Sequence, residues 1–290
     1  MRVKQFDAPF GVEVLGIDVA NDVTDQVMGQ LTSLLYQHRL LVLRAQHLSP
    51  KEYLEFGRRW GRAHPHVLDH ARMKGFPEIL PIGNVTERAR EDAVRNGAVQ
   101  WHTDQSYEQE PASATMLYSI KAPHEGGETQ LTDQVAAYNE LNSDMKGKIS
   151  DLMVLHQYGA GRVRDDEYPA SPIKTKKQKD QLPVVRHPLV RRHPVTGHAA
   201  LYGVSGTSFG IEGMDEVEGV ALLSALKEHA LEERFIYRHK YSVGDIALWD
   251  TLSTMHSATP IRFASGETDS RLLYRISVKG LPYIHHSNLQ

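Results

Sequence analysis

Hydrophobic positions along the N-terminal part of the chain alternate between strand-like and helix-like spacing. Phe10 to Val19 mixes Val, Leu and Ile with turn-forming Gly11 and Gly16, which predicts a pair of strands. Val27, Leu31, Leu34 and Leu35 return at helical spacing, so an amphipathic helix is expected over Asp25 to His38. The continuous apolar run Leu40-Leu41-Val42-Leu43 has strand length and predicts burial on both faces. Ser49-Pro50-Lys51-Glu52 reads as a capping box with proline at the first helical position, opening a helix that runs to about Trp60.

The pattern then changes. Arg62 to Gln100 is rich in Pro, Gly and His, and predicts long loops of the kind that carry function inside a compact domain. Beyond Trp101, short strand-like runs recur at Thr115 to Ile120, Glu128 to Leu131, Val154 to His156, Ala199 to Val204, Asp245 to Trp249 and Leu272 to Val278. Gln134 to Ile149 and Asp215 to Arg234 are the helix candidates of this half. Many short strands with helices outside them predict an α+β fold around a β-sandwich or barrel. A polar, basic insertion lies around 159–197, where Lys174, Lys176, Lys177, Lys179, Arg186, Arg191 and Arg192 stand against Asp180 alone between Ile173 and His193. It reads either as a solvated loop or as an electropositive lid over an anionic substrate.

Composition narrows the class. The 290 residues suit one large domain or two small ones, and 40% hydrophobic with 24% charged residues is the profile of an ordinary soluble protein. A net charge of -3 argues against a surface built for nucleic acid. The N-terminal Met1 to Asp7 has no long apolar stretch, so no secretory leader, no membrane span and a cytoplasmic location are expected. On that footing the glycosylation triplet Asn84-Val85-Thr86 is a chance match. Zero cysteine excludes disulfide frameworks, zinc fingers, thiolate clusters and a cysteine nucleophile. With 16 histidines present, any metal site must use nitrogen and oxygen ligands.

Trp101-His102-Thr103-Asp104 is the tetrapeptide that carries chemistry. On a strand, His102 and Asp104 would project from one face and could bind one divalent metal side by side. His256, following the strand-like Gly244 to Asp250, is the candidate third ligand. Two histidines and one carboxylate on one side of a metal leave the opposite positions open, which suits iron(II) handling oxygen. His-x-Asp also arises by chance, so the pair alone leaves open a satisfied histidine beside a surface aspartate.

Several co-linear blocks go further. Trp101 to Asp104, Gly126-Gly127-Glu128-Thr129, His187 to Val190 with His193 to Gly197, Leu248-Trp249-Asp250 leading to His256, and Arg271 to Arg275 occur in order. In these blocks the chain resembles the taurine/2,4-dichlorophenoxyacetate dioxygenase family of iron(II)- and 2-oxoglutarate-dependent oxygenases, over nearly its whole length. The resemblance implies a single domain over 1–290 with a double-stranded β-helix (jelly-roll, cupin-like) core, flanking helices and a long insertion. It implies Fe(2+), 2-oxoglutarate and O2 as cofactor and co-substrates, with His102, Asp104 and His256 as the iron ligands. Arg271 would grip the distal carboxylate of 2-oxoglutarate with a bidentate fork, Thr129 would assist, and Arg275 would sit near the iron. Arg262 is the alternative to Arg271, because the interval after His256 is lengthened by the polar stretch Arg262 to Ser270. Retention of Asp104 implies oxygen insertion or hydrogen abstraction and not halogenation.

The implied reaction hydroxylates a small organic acid or amino-acid-like molecule, cleaving it where the new alcohol is unstable, and releases succinate and CO2. Substrate-contact candidates are His64, His66, His70, Asn84, Gln100 and Tyr107. Gly97 and Ala98, where polar contacts are expected by analogy, are small and apolar, which disfavours a taurine-like sulfonate. Three alternatives stay open: an oxygenase or hydrolase on a similar barrel that does not use 2-oxoglutarate, an amino-acid-tailoring oxygenase, and a non-enzymatic binding barrel. Family analogy also implies a homo-oligomer.

Overall fold

The helical period of the first amphipathic segment is realised residue for residue. In the computed structural model, which describes residues 1–163 and 183–288, strands β1 (Arg2–Gln5) and β2 (Val12–Leu15) precede helix α1 (Asp25–His38). Thr24 caps α1 by accepting from the Val27 N–H, and Met28, Leu31, Leu35 and Tyr36 form its buried stripe. Strand β3 (Leu40–Leu43) is buried throughout, and helix α2 (Pro50–Arg58) opens on a complete capping box between Ser49 and Glu52. The strand pair expected within Phe10 to Val19 is a single strand, β2, whose antiparallel partner is β1. Every residue of β1 is exposed, so no hydrophobic pattern announces it.

The stretch 62–100 is less irregular than its composition suggests. It contributes β4 (Arg62–Ala63), β5 (Leu80–Gly83), two short 3-10 turns and the single-turn helix α3 (Asp92–Arg95). Then come β6 (Ala114–Lys121), β7 (Thr129–Asp133), helices α4 (Gln134–Glu140) and α5 (Ser143–Ile149), and β8 (Met153–His156). The helix expected over Gln134 to Ile149 is thus two, broken at Leu141, with Asn142 capping the second through the Met145 N–H. Strands β9 (Val185–Pro188), β10 (Val190–Arg192), β11 (Ala199–Leu201) and β12 (Ser208–Ile211) lead to α6 (Glu216–Ala230). The chain closes with β13 (Ile236–His239), β14 (Ile246–Asp250), β15 (Thr254–Ala258) and β16 (Leu272–Lys279).

The eight-stranded sheet has the order β1-β2-β3-β14-β6-β16-β4, with β5 also on β16, and a three-stranded sheet β13-β7-β15 supplies a second wall. The two-residue period of the large sheet assigns its faces. Leu41, Leu43, Met116, Tyr118, Ile246, Leu248, Ile276 and Val278 pack with α1 and α2 in one core cluster. Leu40, Val42, Leu117, Ala247, Trp249 and Leu273 turn the other way and pack with Leu131 of β7. The inward set of β16 therefore includes Arg275, two residues past Leu273, and Arg271 stands two residues before it at the strand entrance.

Lys174, Lys176, Lys177 and Lys179 of the basic insertion lie outside the described residues. Its described C-terminal part is β9 and β10 rather than loop: Arg186 pairs with Glu212 at 2.8 Å and Arg191 covers the Tyr202 ring at 4.8 Å. Among the described residues, no helix is long and apolar enough to cross a membrane.

Candidate metal centre and its cavity

His102 and Asp104 come together without a strand. His102 forms an isolated antiparallel bridge with His256 of β15, each backbone N–H donating to the other's carbonyl at 2.9 Å. The chain turns immediately afterwards, with Gln105 in the left-handed region at φ 55°, so Asp104 is delivered by a turn. The bridge places the two imidazole rings 4.2 Å apart, and Asp104 lies 3.7 Å from the Nε2 atom of each. One ligand atom from each of the three residues falls within 4.8 Å of the others. Gly206, at φ 78°, backs this arrangement, because a Cβ there would come within 2.8 Å of the His102 Cβ.

The electrostatics suit a cation. His102 Nδ1 lies 2.7 Å from the Gln100 carbonyl, which can only accept. That assigns the proton to Nδ1 and leaves the Nε2 lone pair facing the cluster. Burial, reinforced by His102, lowers the His256 pKa to about 3, so its imidazole is neutral and able to donate a lone pair. Burial alone would raise the Asp104 carboxyl, but Arg275, His256 and His102 overcome it and hold the carboxylate well below its usual range. Arg275 donates to Asp104 Oδ1 at 2.8 Å, while Oδ2 is buried with no hydrogen-bond partner. An unpartnered buried carboxylate oxygen beside two imidazoles is a set of donors that could hold a divalent transition metal.

The three residues line a cavity of about 290 Å3, and Thr129, Arg271 and Arg275 line the same cavity. Arg271 is 5% exposed and meets no carboxylate within 4.0 Å among the described residues. Its Nε donates to the Gly127 carbonyl at 2.9 Å and its guanidinium lies 5.8 Å from the centre of the Tyr241 ring. Tyr241 and Thr129 share a hydroxyl–hydroxyl contact of 2.9 Å. Burial lowers the Arg271 pKa, outweighing the opposing fields of Tyr241 and Glu128. Arg262, the alternative, is exposed and does not line the cavity.

The substrate-contact candidates divide. His66, His70, Gln100 and Tyr107 line the cavity. Burial, with Arg275 adding to it, lowers the His66 pKa to about 3 and keeps this imidazole neutral. His64 lies off the main cavity, beside a small void of about 10 Å3, with its Nε2 3.4 Å from Glu108. Asn84, a substrate-contact candidate from the sequence, does not line the cavity. Its side chain accepts from the Arg271 N–H at 2.7 Å and donates to the Arg262 and Asp269 carbonyls at 3.0 and 2.8 Å, closing the 262–271 segment onto β5. Sequence reasoning missed this clamp because an Asn in a loop carries no signal of burial. It also missed Tyr241, and Trp249 as the wall 4.7 Å from the His256 ring.

Asn84→Ala removes three buried hydrogen bonds worth roughly 1 kcal/mol each. The expected result is a fold destabilised by about 2–3 kcal/mol in urea unfolding, with 2-oxoglutarate binding weakened several-fold and metal affinity unchanged.

The chain is 29% identical to the alpha-ketoglutarate-dependent 2,4-dichlorophenoxyacetate dioxygenase of Cupriavidus pinatubonensis over 259 residues, covering 85% of this chain and 88% of that one. It is 27% identical to the (S)-phenoxypropionate/alpha-ketoglutarate-dioxygenase of Sphingobium herbicidovorans over 285 residues, covering 97% and 95%. The solved structure of AAD-2 in complex with Mn(II) and N-oxalylglycine superposes with a TM-score of 0.79 at 26% identity, covering 96% of this chain and 98% of that one. The sequence profile described as "Taurine catabolism dioxygenase TauD, TfdA family" matches residues 2–277, and the chain belongs to that family.

Proposed function

We propose that this protein is an iron(II)- and 2-oxoglutarate-dependent dioxygenase that hydroxylates a small organic acid, with release of succinate and CO2. The observation that carries the reading is Arg271: a buried guanidinium with no carboxylate within 4.0 Å among the described residues, in the same cavity as His102, Asp104 and His256. A buried cation of this kind is costly unless an anion meets it. The distal carboxylate of 2-oxoglutarate is that anion, and Thr129 and Tyr241 brace the guanidinium that holds it. An oxygenase or hydrolase that dispensed with 2-oxoglutarate would leave Arg271 without a role.

When bound, iron and 2-oxoglutarate together supply the oxidising power that splits O2 between succinate and a substrate C–H bond. The chain's own part is placement. His102, Asp104 and His256 would hold the metal, Arg275 keeps Asp104 ionised and fixes its Oδ1, and Trp249 and Leu117 line the cavity beside them. The volume of about 290 Å3 lies at the low end of the roughly 300–1,000 Å3 range of ligand pockets, which favours a small substrate. Relatives named for 2,4-dichlorophenoxyacetate and (S)-phenoxypropionate support an organic acid. The facing sheets around the cavity support a double-stranded β-helix as the core of one domain.

The test is succinate release from protein supplied with iron(II), ascorbate, O2 and 2-oxoglutarate, across aryloxy acids, sulfonates, phosphonates and amino acids. Release stimulated by an organic acid is expected. Binding of neither 2-oxoglutarate nor iron(II) would overturn the reading.

A further inference from the structure

The cavity is cationic beyond what metal and co-substrate use. Among the described residues, four arginines line it against a single carboxylate, Asp104. Three are occupied or assigned. Arg275 is paired with Asp104, and Arg271 is the proposed seat of 2-oxoglutarate. Arg95 donates to the Ile261 carbonyl at 2.8 Å and to the Ala89 carbonyl at 2.6 Å, and is also paired with Asp92. Arg88 is different. It stands on the 3-10 turn Glu87–Arg90, is only half-exposed, and lines the cavity, yet its side chain makes no hydrogen bond or ion pair among the described residues. Its neighbour Arg90 is paired with Glu87 at 2.8 Å and covers the Phe263 ring, so the turn's acid is already taken.

Most of the cavity surface that Arg88 shares is apolar. Ala71, Leu80, Ile82, Ala89, Val94 and Ala98 line the cavity and offer no anion. A guanidinium fork set in an apolar wall binds an oxyanion whose remaining body is hydrophobic, since the fork matches a carboxylate and the wall covers the rest. We infer that Arg88 is the specificity-determining residue that reads the anionic group of the substrate, and that the substrate is a carboxylate or related oxyanion attached to an apolar body. The inference rests on the dioxygenase reading above and deepens it. It assigns the acid to a residue apart from the metal cluster and leaves Arg275 to Asp104. It also explains how small, apolar Gly97 and Ala98 fit an acid-binding site: the body passes them and the charge goes to Arg88.

The test compares 2,4-dichlorophenoxyacetate, the corresponding arylsulfonate and the neutral amide of the acid, binding to protein loaded with Mn(II) and 2-oxoglutarate under argon. Arg88→Met keeps the length of the side chain and removes its charge, Arg88→Lys restores charge without the fork, and Arg90→Met is the control for net charge. The expected result is wild-type preference for the acid over its amide, lost in Arg88→Met through an affinity fall of about 10- to 100-fold. Arg88→Lys recovers part of it, Arg90→Met loses nothing, and the amide is indifferent to all three changes. Affinities for Mn(II) and 2-oxoglutarate stay at wild-type values, which separates this result from failure of the metal or co-substrate assignments. The acid–sulfonate ratio shows which oxyanion the fork prefers. The inference is overturned if wild type binds acid and amide alike, if Arg88→Met retains the preference, or if acid and amide lose affinity equally.

Discussion

Arg271→Met removes 2-oxoglutarate binding without weakening the fold. The native guanidinium is buried and unmatched by any carboxylate among the described residues, so folding strips its water and returns only one hydrogen bond, to Gly127, and the face of Tyr241. An apolar chain of similar length escapes that cost, as replacements of buried charges generally do. The co-substrate loses the most. Truncating one partner of a buried, hydrogen-bonded charge pair costs roughly 2–5 kcal/mol, which is about 30- to 4,000-fold in affinity. Thermal unfolding and calorimetric titration check both halves. The variant's Tm is expected to match or exceed that of wild type, metal affinity to stay unchanged, and 2-oxoglutarate to raise the Tm of wild type alone, because only a ligand bound to the native state stabilises it. Unchanged 2-oxoglutarate affinity would reject the assignment. A lower Tm with intact affinity would make Arg271 a packing residue against Tyr241.

The residues that the sequence makes legible are those whose signal is local. Helix α1 is bounded as expected because a buried stripe and a Thr24 cap agree, and α2 because Ser49, Pro50 and Glu52 form a complete motif within four residues. The apolar run of β3 likewise reads correctly as a strand covered on both faces. A strand would suffice to pair His102 with Asp104, but the pairing depends on a backbone bridge to His256, a residue far along the chain, and on the left-handed turn at Gln105. Nothing within the tetrapeptide encodes either. Asn84 shows the same limit more sharply. Its three partners lie across the interval 262–271 and its importance is wholly tertiary. Strand alternation succeeds where local order persists: Leu273 and Arg275 do share the inward face of β16, with Arg271 two residues upstream at its entrance.

Asp104 bears two separate loads, and its replacement exposes both. In Asp104→Ala the site loses the only carboxylate that the described residues give it, leaving two imidazoles, so iron(II)-supported turnover is expected to vanish and metal affinity to collapse. The same change strips Arg275 of its acidic partner inside the protein, where the two side chains are 14% and 4% exposed. Breaking a buried pair from one side costs about 3–5 kcal/mol, because the remaining charge is left uncompensated. Loss of activity in the single variant would therefore not distinguish a missing ligand from a collapsed cavity. Arg275→Met in the Asp104→Ala background separates them: removing the orphaned charge should restore most of the stability lost in urea unfolding, while metal affinity stays abolished. The order of the two effects follows from the chemistry, since an apolar neighbour can substitute for an ion pair but cannot donate a lone pair to a metal. Full metal binding in the double variant would remove Asp104 from the ligand set. Stability unchanged in the single variant would mean that Arg275 finds another anchor, for which the Ser277 hydroxyl at 2.9 Å is already in place.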